Sequence, residues 1–172
     1  GIAYRNPGKL HVEINGFHSR LENAIVRRPT TFQGQDSILF DGIKSRVEAL
    51  QNIGLATVWG LQAMAEVWLA HSISLYTTAN WISGKETDDV NNVQVPLRHA
   101  PPFFGQSGIK ARHKGWQAEF FAQYNSAVSH EDLAPSEQVK TVIYAKDASG
   151  RTFSPGWYTL NMRTGYTYKN WM

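Results

Sequence analysis

Apolar and polar residues alternate one for one over several long stretches of this chain. Ile73, Leu75, Thr77, Ala79 and Trp81 interleave with Ser74, Tyr76, Thr78 and Asn80. Trp116, Ala118, Phe120, Ala122 and Tyr124 interleave with Gln117, Glu119, Gln123 and Asn125, with Phe121 as the one apolar intruder. After Trp157, the set Tyr158, Leu160, Met162, Thr164, Tyr166 and Tyr168 alternates with Thr159, Asn161, Arg163 and Thr167. A period of two over such lengths predicts strands with one apolar and one polar face. Residues 9–20 predict a fourth, through Leu10, Val12, Ile14 and Gly16 against His11, Glu13 and Asn15. Its alternation breaks near Phe17, where a bulge or register change is expected. A fifth and weaker strand is predicted around 103–112.

Residues 53–70 carry only Thr57, Gln62 and Glu66 as clearly polar members, close to the length of a membrane-spanning helix. As a strand, Trp59, Leu61, Ala63, Ala65, Val67 and Leu69 form one apolar face. The next strand starts at Ile73, after a connection of hairpin length, so a strand is expected and a helix is the alternative. Ile43, Val47 and Leu50 have helical spacing and predict a short helical turn within 42–51.

The connections alternate between long (about 27–50, 84–101 and 127–156) and short (70–72 and 113–115), as an up-and-down antiparallel sheet requires when its ends face different environments. All seven prolines fall in connections or at strand edges, where a missing N–H does no harm. The apolar faces place Trp59, Trp81, Trp116, Tyr124, Tyr166 and Tyr168 near strand ends, the pattern of the aromatic girdles that flank a lipid-facing band. About six strands of roughly ten residues are too few to close a membrane barrel. An open apolar sheet would also associate through its edges. Together with the start at Gly1 and the stop at Met172, this predicts a piece of something larger.

Composition narrows the chemistry. There is no cysteine, which removes disulfides, thiolate nucleophiles and Cys-ligated metals. Aromatics make up 12% and hydrophobic residues 42%, too much apolar material for disorder. The net charge of +3 is spread along the chain, so no nucleic-acid partner is expected. The six histidines show no metal-ligand spacing. No Gly-x-Ser-x-Gly elbow, phosphate loop or paired carboxylates point to catalysis, so neither an enzyme nor a cofactor is expected. His130-Glu131-Asp132 reads as a polar surface cluster.

Several segments then resemble one family. Residues 52–62, NIGLATVWGLQ, resemble the N-x-x-x-A-x-V-x-G-x-E strand of TonB-dependent outer-membrane receptors, with Gln62 at the usual Glu. Residues 96–105, PLRHAPPFFG, are similar to the family's PL-x-x-x-PP-x-x-G segment. Residues 116–125 resemble one of its barrel strands. Residues 133–138, 144–147 and 155–161 resemble the following loop and strand, especially in Bacteroidetes-type receptors. The order and spacing of these segments cover nearly the entire chain.

The resemblance implies an all-β fold of antiparallel up-and-down strands, a late segment of a 22-stranded transmembrane β-barrel. Residues 1–172 would be a single region, with the plug domain and the final strands absent. It implies the bacterial outer membrane and uptake of a scarce nutrient such as a ferric siderophore, haem or cobalamin. The implied partners are TonB, through the missing N-terminal part, membrane lipid and the small-molecule nutrient. Arg27 and Arg28, at the expected outer end of the first strand, suit an anionic ferric chelate; a solvated or lipopolysaccharide-facing pair is the plainer role. Tyr144 and Trp157 flank the last long loop and are candidates for stacking on a ligand, against packing in the loop or girdle. The alternative function is a soluble all-β carbohydrate- or protein-binding domain.

Overall fold

The computed structural model describes residues 1–88 and 93–168, without the side chains at 24, 26, 27, 52–54 and 88. Its elements in order are β1 (Ile2–Asn6), β2 (Leu10–Pro29), β3 (Ser37–Phe40), β4 (Ile43–Arg46), β5 (Glu48–Ala70), β6 (Ile73–Asp88) and β7 (Val93–Pro96). There follow β8 (Phe104–His113), β9 (Trp116–Asn125), α1 (Pro135–Gln138), β10 (Ala145–Lys146), β11 (Thr152–Phe153) and β12 (Trp157–Tyr166).

One antiparallel sheet dominates, in the order β1-β2-β5-β6-β8-β9-β12, with β7 pairing the far end of β6. Every step along that order joins strands that are consecutive except for small hairpins in the loops, so the sheet is an open up-and-down arc. Its edges are β1 and β12. No second layer covers it: among the described residues, the buried apolar ones are only Ala56, Leu133 and Ala134. A soluble sheet hides one face against a partner layer. This one does not.

At one end the turns are tight. Pro7-Gly8-Lys9, His71-Ser72 and Lys114-Gly115 connect β1 to β2, β5 to β6 and β8 to β9. Lys114 and Gly115 both have positive φ, 44° and 86°, the backbone of a two-residue turn whose twist matches that of its strands. At the other end lie the long connections, which contain β3–β4, β7 and the α1–β10–β11 insertion. The segment 53–70 is strand throughout, and among the described residues no helix is long and apolar enough to cross a membrane.

Two local expectations are corrected, and one strand was not foreseen. Residues 42–51 hold β4 and the start of β5, with no helical turn. Ile43 pairs with Phe40 around Asp41-Gly42, both at positive φ, so a local hairpin turn overrides the chance helical spacing. Phe17 lies in an unbroken register from Leu10↔Val67 to Glu22↔Leu55, without a bulge. The pattern breaks there because the outer face turns polar, through His18, Arg20 and Glu22, while the strand continues to Pro29. The one shift in the β5–β6 register lies between Trp68 and Ala70, at the tight turn. Finally, residues 2–6 form an edge strand that too short a pattern had concealed.

Candidate functional site

Directly paired residues of adjacent strands share a face, so the registers sort every side chain of the arc. One face carries Leu10, Val12 and Ile14 of β2, Leu61, Ala63, Ala65 and Val67 of β5, and Leu75 of β6. It continues through Ile109 of β8, Phe120 of β9 and Met162 of β12, which form one paired row with Leu75. Phe120 is 52% exposed and Met162 73%. An apolar expanse of this size is a surface made for another apolar phase.

Aromatic rings border it at both ends. Near the tight turns, Trp116 and Tyr166 are directly paired, with ring centroids 4.9 Å apart, and Tyr168 follows at 6.5 Å from Tyr166. Near the long loops, Trp59 and Trp81 meet edge to face at 4.6 Å, and Phe103 stacks on Tyr124 at 5.9 Å. From Trp116 to Tyr124 the strand rises about 27 Å at 3.4 Å per residue. A tilt of about 40° reduces this to about 21 Å, close to the apolar band of a membrane barrel.

The opposite face is polar. Toward the tight turns it is charged and cross-linked. Ser74 Oγ donates to Glu66 Oε1 at 2.8 Å, and Lys110 Nζ lies 3.6 Å from the same oxygen. Tyr76 OH donates to Glu119 at 2.5 Å and accepts from Gln106 Nε2 at 2.5 Å. Arg163 bonds the other Glu119 oxygen, with Nε at 3.0 Å. A cavity of about 310 Å³ opens here, lined by Lys110, Arg112, Gln117, Glu119 and Arg163 among others.

Toward the long loops, one row of the same face carries no charged residue. A single paired row, Asn15–Gln62–Asn80–Phe104–Asn125–Trp157, crosses β2, β5, β6, β8, β9 and β12 with one residue from each. Four amides and two aromatic rings therefore stand side by side. The next row toward the tight turns is Glu13–Met64–Thr78–Gln106–Gln123–Thr159, polar throughout except for Met64 and charged at Glu13.

Above the sheet, the connection from β9 to β12 is tied into a compact unit. Gln138 Nε2 donates to the carbonyls of His130 and Leu133, and Thr152 Oγ1 donates to the carbonyl of Gln138 at 2.6 Å. Glu137 is only 4% exposed. It accepts from Tyr144 OH at 2.8 Å and lies 3.2 Å from His99 Nε2 of the β7–β8 connection. Burial and the bond to Glu137 push the Tyr144 hydroxyl up to about 12, against the opposing pull of Arg98. At the surface, Arg151 pairs with Asp147 and Glu131. Backbone amides and this guanidinium hold both carboxyls below their usual range.

Of the four residues expected to contact ligand, the three whose side chains are described, Arg28, Tyr144 and Trp157, have separate surroundings. The backbone of Arg27 pairs with Leu50, and its side chain lies outside the described residues. Arg28 is 3.4 Å from Glu86 and donates to the carbonyl of Thr87 at 3.3 Å, so its charge is met within the wall. Tyr144 turns to Glu137. Trp157 ends on the polar face, 55% exposed. The amide row beside it escaped sequence reading. Each amide looked like an ordinary polar alternate, and only register aligns them.

A girdled apolar face backed by a polar one defines a wall of a transmembrane β-barrel. The chain belongs to the TonB dependent receptor-like, beta-barrel family, whose profile matches residues 1–172. Members of this family are bacterial outer-membrane proteins. Among solved structures the fold is similar to that of a protein titled copper transporter OprC, with a TM-score of 0.67 at 13% identity. That match covers 95% of this chain and 22% of the transporter. No curated protein matches the sequence.

Proposed function

We propose that this chain supplies part of the wall and external loops of an outer-membrane receptor that takes up a scarce small-molecule nutrient with energy delivered through TonB. The observation that carries the reading is the two-faced single-layer sheet. Its girdled apolar face requires lipid, and its polar face would line a lumen. The tight-turn end is then periplasmic and the long loops are external, as in other outer-membrane barrels. The chain's own residues hold and shape a passage, and no enzymatic step is assigned to them. A soluble binding domain would have to cover the face bearing Leu75, Ile109, Phe120 and Met162, and no described element does so.

Trp157 is the site residue this reading keeps for ligand contact. Arg28 and Tyr144 act through the wall and the loop that they fasten. Ferric chelates, haem, cobalamin and, from the named structural neighbour, copper are the cargoes to test. The test is a deletion of the gene that encodes this segment, with growth followed under limitation of each nutrient. The expected result is a defect that the intact gene restores and that disruption of TonB reproduces. Unimpaired growth under every limitation, or recovery of the protein in the soluble fraction, would overturn the proposal.

A further inference from the structure

We propose that the basic tight-turn rim of this wall binds the anionic headgroups of the phospholipid leaflet around it. The proposal rests on the reading that this end is periplasmic. Arg5, Lys9, His71, Arg112, His113 and Lys114 lie in or beside the three tight turns, and all are exposed. The segments that make these turns, 5–10, 69–73 and 111–117, contain no Asp or Glu. The nearest carboxylates, Glu66 and Glu119, stand on the polar face and are already engaged. Ser74 and Lys110 hold the first, and Tyr76 and Arg163 the second. Among the described residues, none of Arg5, Lys9, Arg112 and Lys114 has an ion-pair partner. The long connections, by contrast, mix acids such as Asp36, Asp41, Glu131 and Asp147 with their cations.

The position of these charges selects lipid. His113 is directly paired with Trp116 on the lipid-facing side, and Trp116 with Tyr166, ring centroids 4.9 Å apart. Such girdle rings sit where the apolar band meets the headgroups. Lys114 lies one residue beyond that row, with a long flexible stem that carries its ammonium to the phosphate level. Lys9 holds the corresponding place beyond Leu10, the first lipid-facing residue of β2. The turns recur at every second strand, about 10 Å apart across the sheet, and strand tilt brings them to one level. Being so short, they keep their cations in the headgroup layer instead of projecting them toward a soluble or cell-wall anion. Arg5 and Arg112, on the polar face behind the turns, add to the same positive potential. Backbone geometry points the same way. Lys114 has φ 44°, where Asn or Gly is the unstrained first residue of a two-residue turn. A lysine there serves something other than the turn.

The experiment uses the complete receptor in phosphatidylcholine vesicles that carry a trace of diazirine-bearing phosphatidylglycerol or phosphatidylcholine. Photolabelled peptides are then mapped by mass spectrometry. The expected result is preferential labelling of 5–10 and 111–117 by phosphatidylglycerol, fading in high salt. Lys114→Asn, which suits the positive φ, and Lys9→Gln should each lower labelling of their own turn about fivefold. Lys114→Arg should retain it, and Lys44→Gln, in the external β3–β4 hairpin, should leave it unchanged. Heat-modifiable gel mobility would verify that each variant is folded. Equal labelling by the two lipids, or yields unchanged in Lys114→Asn and Lys9→Gln, overturns the inference and leaves the uptake reading standing. Binding to peptidoglycan sacculi that these variants abolish, without a preference for phosphatidylglycerol, gives the rim to the cell wall and overturns the lipid assignment. A receptor that stays soluble in plain buffer and is labelled by neither lipid overturns the membrane reading as well.

Discussion

Phe17 lies against Gly60 on the polar face, directly paired across β2 and β5. A Cβ on Gly60 would stand 2.7 Å from ring atoms Cε1 and Cζ of Phe17 and 2.7 Å from the carbonyl oxygen of Trp81. The glycine leaves room for an aromatic ring to cover bare backbone at the level where the wall leaves the membrane. Gly60→Ala is therefore expected to cost about 1–3 kcal/mol. Adding Phe17→Ala should recover only part of it, because the Trp81 carbonyl cannot swing aside. Urea unfolding of the complete barrel in micelles measures both; an unchanged midpoint for the single variant would contradict the packing.

The register sorts residues that sequence distance cannot. Phe120 stands mid-band on the apolar face, while Gln117 stands on the polar one. Phe120→Arg should destabilise the barrel in lipid vesicles by about 2–4 kcal/mol. Gln117→Arg should stay within about 0.5 kcal/mol. Equal costs would mean that the two faces have been assigned wrongly.

Glu137 holds Tyr144 within its own loop and His99 from the neighbouring one. Glu137→Ala leaves the part-buried tyrosine hydroxyl without this acceptor, an expected loss of about 1–3 kcal/mol in loop stability. Hydrogen exchange should then show faster exchange across 130–152 and little change in β9 and β12. Uniform protection in wild type and variant alike would sink the idea.

Tyr144 also sets a high-pH limit on this loop. Its folded value of about 12 exceeds the ordinary tyrosine value of 10, so the folded loop holds the proton more tightly than the unfolded one. The resulting stability is complete below pH 10 and is lost as pH rises through about 12. Ultraviolet titration of the phenolate alongside loop exchange rates would display this window. Tyr144→Phe should remove that part of the pH dependence.

The β10–β11 hairpin responds at the opposite extreme. Asp147 accepts from the backbone amides of Ser149 and Arg151 and pairs with the Arg151 side chain. Its depressed carboxyl, like that of Glu131, stabilises the hairpin above the ordinary carboxylate range, and the effect is lost as pH falls through the lower folded values. NMR titration of Gly150 and Arg151 amides should show the change starting below about pH 4. Arg151→Gln should move its onset to higher pH.

Much of the wall was legible because one physical rule governs it. A strand between lipid and a polar interior must alternate, and residues 73–81, 116–124 and 157–166 do so wherever they cross the apolar band. The rule weakens at the band's edge, which is why the polarity switch at Phe17 resembled a bulge. It is silent for β1 and for the Asp41-Gly42 hairpin, where a few residues carry too little pattern and turn geometry decides. The external residues were the least legible. Arg28 reads as a free cation until Glu86, far away in sequence, is brought to it.

The sequence by itself determined the long strands, their alternating faces, the tight-turn and long-loop ends and the family, because each depends on local periodicity or ordered motifs. Only the tertiary structure decided which side chains stand together: the Glu119–Tyr76–Arg163 network, the Glu137 clasp and the uncharged row from Asn15 to Trp157. The reason is register. Backbone hydrogen bonding fixes the relative slide of strands that meet across long loops, and a shift of one residue would have sent every member of that row to the lipid.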